Sequence, residues 1–262
     1  MRWPADCIDT MSTNLIEAER SRRPLPSASG RYPDFDHAMA YAVQLRTLET
    51  KLAGGASIIG AKAAFTNKVV QKEYGVDEPV SGFLLDRGLC RDGAEIPFDN
   101  LIEARVEAEI AFVMAGDLAG PGVSSARALN AVAGIMPAIE VVDCRFANWK
   151  VRAVDVAADN ACSGHVVLGG GMFPAQGIDL RLLGVIMERN GEVVSTGAGA
   201  AALGNPIEVL AWVANNLGKL GRGLRAGDVV ITGTLVRAEQ VKRGHRFRAT
   251  FDRLGAVSVS FA

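Results

Sequence analysis

The sequence predicts an α+β fold, a helical N-terminal part followed by a strand-rich body, and two observations carry that reading. The first long periodic stretch, FDHAMAYAVQLRTLETKLAGG, brings Tyr41, Leu45, Leu48 and Leu52 to one side of a helix, whereas later segments mostly alternate at the strand period with two helices inserted. Helices and strands segregated in this way argue against a doubly wound sheet. In agreement, no GxGxxG follows a strand and no GxxxxGK(S/T) occurs, which disfavours a nucleotide cofactor.

At 262 residues the chain has room for one large core and a modest appendage. Hydrophobic residues at 49%, charged residues at 22% and a formal net charge of -1 describe an ordinary globular surface with no field for nucleic acid. No apolar run approaches the roughly 18 residues of a membrane span. The opening MRWPADCIDTMSTNLIEAERSRR lacks an apolar core followed by a small-residue cleavage site, so no secretory leader is expected. Cys7, Cys90, Cys144 and Cys162 are far apart without CxxC spacing, which argues against a zinc ribbon and suits a reducing cytoplasm.

In chain order, Pro33 and Asp34 introduce the first helix and Gly54 and Gly55 supply its stop. ASIIGAKAAFTN is a short β-like run, broken at Gly60, that sets Lys62 among small and apolar neighbours, an unusual place for an ammonium. Residues 66–84, polar with glycine and proline, read as a mobile loop or short helix over a site. VEAEIAFVM is a strand, Ser124 or Ser125 caps a short helix that Pro137 ends, and PAIEVVD is the next strand. HVVLGG is a further strand, and GVIMERNGEVVSTG is a hairpin turning at Arg189 to Gly191. Asn205 and Pro206 open a helix with Leu210, Ala214 and Leu217 on one face, and Gly218 closes it. DVVITGT, HRFRATF and AVSVSFA supply the last strands, while His37, His165 and His245 sit in separate contexts and read as structural or surface residues.

The chemistry lies in the acids. Strand alternation puts Val106, Ala108, Ile110, Phe112 and Met114 on one face and Glu107, Glu109, Ala111 and Val113 on the other. Two carboxylates about 7 Å apart at the backbone repel, so either water on an exposed face or a cation in a cleft must balance them. PAIEVVD places Glu140 in the same way. Three carboxylates without histidine suit a hard cation, Mg2+ or Mn2+, rather than zinc. A 2-oxo acid is the natural small chelator for such an ion, because its carboxylate and carbonyl close a five-membered ring on it.

VEAEIAFVMAGDL with PAIEVVD, the VAADN block and GAGAAALGNPIEVLAWVANNLG resemble the 2-oxopent-4-enoate (2-hydroxypentadienoate) hydratase and 4-oxalocrotonate decarboxylase family, within the fumarylacetoacetate hydrolase superfamily. The resemblance runs from about residue 36 to the end. It implies a mixed, rolled β-sandwich (residues 57–262, the metal-binding catalytic domain) behind an N-terminal leader and helical region (residues 1–56). It further implies a divalent metal on Glu107, Glu109 and Glu140, and Lys62 of the GxK motif as a group that binds or activates substrate. Asp159 and Asn160 of the ADN motif then position water or the substrate carboxylate, and Cys162 and Ser163 stand where the family reads serine. The implied partners are a small unsaturated 2-oxo or 2-hydroxy acid, further copies of the chain in a pentamer or decamer, and an enzyme of the same pathway, with no nucleic acid and no membrane.

The implied reaction is hydration of a 2-hydroxy-2,4-dienoate to a 4-hydroxy-2-oxo acid in meta-cleavage degradation of aromatics. Lys62 would carry protons, with a pKa depressed by a nearby dication and low-dielectric walls. Three departures from the family pattern bear on this. Pro79-Val80-Ser81-Gly82 stands where hydratases usually read PDYG or PDFG and decarboxylases PIYG, Cys162 replaces the serine of ADNAS, and GAKAAF replaces GxKxGL. The altered loop makes decarboxylation of 2-oxohex-3-enedioate the alternative activity, and a non-catalytic 2-oxo-acid binding protein the alternative outside enzymes. C-C hydrolysis is disfavoured, because residues 63–78 lack the histidine of the hydrolase HxxE pair.

Overall fold

In the computed structural model, which describes residues 5–262, the leader is itself a helix, α1 (Ala5–Ser21); residues 1–4 of that leader lie outside the described residues. Met11, Leu15 and Ala18, spaced at one helical face, are buried. A short α2 (Ala28–Arg31) follows, then the expected helix α3 (His37–Ala53), whose N-cap Asp36 accepts from Met39 N and whose stop is Gly54. α3 buries Ala40, Val43, Gln44, Thr47 and Leu48, so the Tyr41–Leu45–Leu52 stripe forms the flank of its contact rather than the centre. Arg46–Asp9 and Lys51–Glu19 join α3 to α1 at the rim.

β1 (Ile58–Ala64) leads to α4 (Lys68–Tyr74) and β2 (Val80–Leu85). Of the loop or short helix expected over residues 66–84, α4 is the short helix, and the rest runs into a buried strand, since Val80–Leu85 is an apolar run whose serine and glycine disguise it. β3 (Leu89–Arg91) and β4 (Ala94–Ile96) precede the long hairpin of β5 (Arg105–Met114) and β6 (Val132–Val142), between which lies α5 (Ser125–Asn130), capped by Ser124. Pro137 does not end α5 but sits inside β6. It is tolerated because the ladder to the next strand stops at the Ala138–Leu168 pair, leaving the ring against Gly169, where a Cβ would meet it at 2.6 Å.

α6 (Ala153–Ala158) and β7 (Ser163–Leu168) follow, then β8 (Gly184–Arg189) and β9 (Glu192–Ala198), joined at Asn190 and Gly191 with φ of 54° and 86° as the primed hairpin turn requires. α7 (Pro206–Lys219) has the expected Asn205 cap, but Gly218 lies inside its last turn, where a Cβ would strike the Gly120 carbonyl at 2.8 Å. β10 (Val229–Ile231), β11 (Glu239–Gln240), β12 (Arg246–Phe251) and β13 (Gly255–Phe261) complete the chain.

One sheet has the order β2-β1-β10-β5-β6-β7-β3 with β11 added to β5, and the other runs β4-β13-β12-β8-β9. The main core lies between the two sheets and α7, and it receives the apolar face of β5, namely Val106, Ala108, Ile110, Phe112 and Met114. A second cluster joins α1 and α3 to α6 and to Val142 at the end of β6 and Cys144 and Phe146 beyond it. No described helix is long and apolar enough to cross a membrane.

Candidate active site

Cross-strand pairing sets the acids. Glu107 lies directly opposite Glu140 in the β5–β6 ladder, and Glu109 lies one step along the same face. Lys62 belongs to β1, three strands away from β6. In a flat sheet that is about 14 Å of lateral separation. Here the Lys62 ammonium donates to Glu140 Oε2 at 2.6 Å and to the Ala161 carbonyl at 2.9 Å, so the sheet must curl around the site. The three-residue β10 between them ends at Ile231 and gives way to Gly233. Gly233 has a φ of 78° and donates its N–H to Glu109 Oε2 at 2.6 Å; a Cβ there would strike Thr66 Oγ1 at 2.3 Å.

Glu109 and Glu140 are wholly buried, and Glu107 faces a cavity of ≈ 710 Å³ that Lys62 also lines. Burial pushes all three carboxyls up from their ordinary value, Glu107 to about 7 and Glu109 well above, and each acid near the next adds to the effect on Glu107 and Glu109. Burial alone would lower Lys62, but Glu140, Glu107 and Glu109 outweigh it and hold the ammonium above its usual value. The depression expected from the sequence presupposes a dication on these glutamates, whereas the three carboxylates by themselves pull the other way.

Ionised together, the three carboxylates would leave two negative charges uncompensated beside one ammonium in a buried place, and without a cation the group answers by holding its protons more tightly. One ligand atom from each of Glu107, Glu109 and Glu140 lies within 4.8 Å of the others. Glu109 Oε1 and Glu140 Oε1 are buried without a hydrogen-bond partner. A hard dication satisfies both the charge and the orphaned oxygens, so these residues fit Mg2+ or a similar ion. A second cluster, Cys144, Asp159 and Cys162, has comparable spacing, but Arg145 already places a guanidinium on Asp159.

The remaining candidates divide. Cys162 lines the cavity, and its thiol is pushed well above its ordinary pKa by contact with Cys144 and by burial, so it stays protonated. Asp159, Asn160 and Ser163 do not reach the cavity wall. Asp159 accepts from Arg145 Nε at 2.5 Å and from its backbone N–H at 2.9 Å. The Arg145 guanidinium also donates to the carbonyls of Asp143, Asp159 and Ser163, a buried clamp between β6 and β7. Asn160 pairs twice with Phe83, accepting from its N–H at 2.7 Å and donating to its carbonyl at 2.9 Å. These residues hold the turn Asn160–Cys162, all three at positive φ (51°, 53° and 55°), which presents the Ala161 carbonyl to Lys62. Three successive non-glycine residues in that region are costly and persist only where the surroundings fix them.

At the position of the missing acid, Val80 is buried on the same face of the β1–β2 pair as Lys62, one register step away. Ser81 faces the helices instead, its hydroxyl accepting from Asn216 Nδ2 at 2.8 Å. Among the cavity residues to which the sequence reading gave no role are Arg105 and Trp149, the guanidinium lying 4.3 Å from the ring centroid. Arg105 was within reach of the strand-alternation argument, two residues before Glu107 on the same face, and Trp149 belongs to the NWKVRAVDVAADN segment whose tryptophan resembles the hydratases of the family.

The chain matches the family model described as fumarylacetoacetate (FAA) hydrolase C-terminal over residues 58–261. It is 38% identical over 248 residues to a 2-keto-4-pentenoate hydratase of Paraburkholderia xenovorans, covering 95% of this chain and 92% of the relative. It is 37% identical over 256 residues to a 4-oxalocrotonate decarboxylase of a Pseudomonas species, covering 98% and 97%. Among solved structures, a 4-oxalocrotonate decarboxylase from Pseudomonas putida G7, complexed with magnesium and adipate, superposes with a TM-score of 0.96 at 34% identity, covering 100% of this chain and 99% of that one. With its curled sheet, its α+β architecture and these relatives, the chain belongs to the 2-keto-4-pentenoate hydratase and 4-oxalocrotonate decarboxylase family of the fumarylacetoacetate hydrolase superfamily.

Proposed function

We propose that this protein is a divalent-metal-dependent hydro-lyase that adds water to a 2-hydroxy-2,4-dienoate and yields a 4-hydroxy-2-oxo acid. The observation that carries the reading is the triad Glu107, Glu109 and Glu140, with one ligand atom from each within 4.8 Å of the others and two orphaned oxygens, beside a cavity of small-molecule size. Glu107, Glu109 and Glu140 would hold Mg2+, or Mn2+ in its place. When bound, the ion acts as a Lewis acid toward a chelating 2-oxo acid.

The chain's own residues do the rest. Lys62, anchored by Glu140 and the Ala161 carbonyl beside the glutamates, is placed to serve as the proton donor to the dienol carbon chain. Asn160, with the Arg145–Asp159 clamp, fixes that carbonyl, and Cys162 closes the wall beside it as a neutral thiol. Thr66, whose buried hydroxyl lacks a partner, is available to the substrate's carboxylate end. We further propose a cytoplasmic homo-oligomer working in aromatic catabolism; the exposed Ile186 and Val193 on β8 and β9 offer apolar surface for assembly.

Mixing the protein with Mg2+ and 2-hydroxypenta-2,4-dienoate should remove the dienol absorbance and form the 4-hydroxy-2-oxo acid. One observation favours a second reading, decarboxylation of 2-oxohex-3-enedioate: Val80 is apolar where hydratases of the family usually carry an acid. Release of CO2 from that substrate, with no dienol consumption, would select it. Failure of both assays leaves a non-catalytic 2-oxo-acid binder.

A further inference from the structure

We infer that Cys144 and Cys162 form a two-sulfur site for a soft, two-coordinate cation of the Cu(I) class, and that its occupation switches off the neighbouring active site; the second part rests on the reading of Lys62 above. The two thiol sulfurs lie within 4.8 Å of each other, between the chain just beyond β6 and the turn Asn160–Cys162. With metal–thiolate bonds of about 2.3 Å, one ion midway bridges sulfurs roughly 4.6 Å apart. Sulfur donors select soft ions, in contrast to the hard cation that suits the three glutamates. The coordination number follows from what else is free. Both Asp159 oxygens accept from Arg145, at 2.5 Å from Nε and 2.9 Å from the backbone N–H. The carbonyls of Asp143, Asp159 and Ser163 accept from the same guanidinium, that of Ala161 from Lys62 and that of Cys162 from the Asp143 N–H. These oxygens are spent, so an ion that demands four ligands, as zinc does, finds two.

Entry is from the cavity. Cys162 lines it and Cys144 is wholly buried behind, so an ion reaches the first sulfur through the substrate's own entrance. Serine, which the family pattern reads at position 162, would leave Cys144 alone; the pair is a property of this chain. Each thiol releases its proton as its sulfur lone pair forms the bond to the ion, and no electron is transferred. Cys162 closes the turn whose Ala161 carbonyl accepts from Lys62 at 2.9 Å, and all three turn residues sit at positive φ. A turn held in that region has few alternative conformations, so drawing Cys162 onto an ion displaces the carbonyl that aims the ammonium.

The test is anaerobic titration of the Mg2+-loaded protein with Cu(I) held by bicinchoninate, whose coloured complex fades as the protein withdraws the ion. The wild type should withdraw one equivalent per chain, and Cys90→Ser, which removes a half-buried thiol on β3, should do the same. Cys144→Ser and Cys162→Ser, each shown to be folded by its melting curve, should bind Cu(I) at least about 100-fold more weakly. One equivalent of Cu(I) should abolish turnover of the wild type, whether that turnover is hydration or decarboxylation, and leave Cys144→Ser active. No withdrawal by the wild type, or withdrawal undiminished in Cys144→Ser and Cys162→Ser, would overturn the site. Bound Cu(I) with turnover unchanged would overturn its coupling to Lys62. The titration reads binding alone, so a wrong reaction and a wrong metal site are told apart.

Discussion

Glu109 is the residue on which the site closes. It is fully buried, one oxygen accepts from Gly233 and the other has no partner. Glu109→Gln should lower Mg2+ affinity by at least about 100-fold, read by calorimetry, and abolish turnover at matched Mg2+. Glu107 gives a pH dependence. Its carboxyl is raised from 4.5 to about 7 by burial first, with Glu140 adding to the rise. A raised carboxyl binds its proton more tightly folded than unfolded, so its stabilising contribution is present below 4.5 and lost as pH rises through about 7. Chelator-treated protein should melt at lower temperature at pH 8 than at pH 5.5, and Mg2+ should restore more stability at the higher pH, because metal binding needs the deprotonated acids. A melting temperature of the chelated protein that rises with pH over this window would contradict the assignment.

At the scale of elements, the turn between α6 and β7 matters most. Asn160 joins it to β2 through Phe83 as a ladder residue would, and Gly82 permits the approach, since a Cβ there would meet the Asn160 carbonyl at 2.4 Å. Asn160→Ala removes both hydrogen bonds and leaves the Phe83 backbone unpaired, a loss of about 2–3 kcal/mol in urea unfolding. It should also lower kcat more than it raises KM, because the Ala161 carbonyl that aims Lys62 moves with the turn. A kcat and KM equal to wild type in a destabilised Asn160→Ala protein would show that the turn serves stability alone.

For the whole molecule, the two carboxylates that most need a counter-ion come from β5 and β6, which also form the floor of the main core. Metal and fold are therefore linked. Saturating Mg2+, at about 100 times its dissociation constant, should stabilise the protein by about 2.7 kcal/mol and raise its melting temperature, with reversal by chelator. The same change in Glu109→Gln should be small.

How much of this was legible in the chain depends on how local the cause is. The β5 alternation, the Asn190–Gly191 turn, the Asn205 cap and the three glutamates were readable, because period, turn chemistry and capping act over a few residues, although α3 is capped by Asp36 rather than introduced at Asp34. α1 and β2 were readable in principle but were masked by a polar composition and by a serine and glycine in an apolar run. Pro137 misled because proline is read as a stop, whereas at the end of a ladder its missing N–H costs nothing. The sequence by itself determined the α+β class, the acid set and hence the hard-cation chemistry, since these follow from side-chain type and spacing. Only the tertiary structure decided that Lys62 reaches Glu140 across three strands, that Asp159 is spent on Arg145 and Asn160 on Phe83, and that Arg105 meets Trp149 at the cavity wall. Those contacts join residues 14 to 78 apart, and the curl of the sheet that brings Lys62 to Glu140 is set by the packing of the whole core, not by any short stretch of chain.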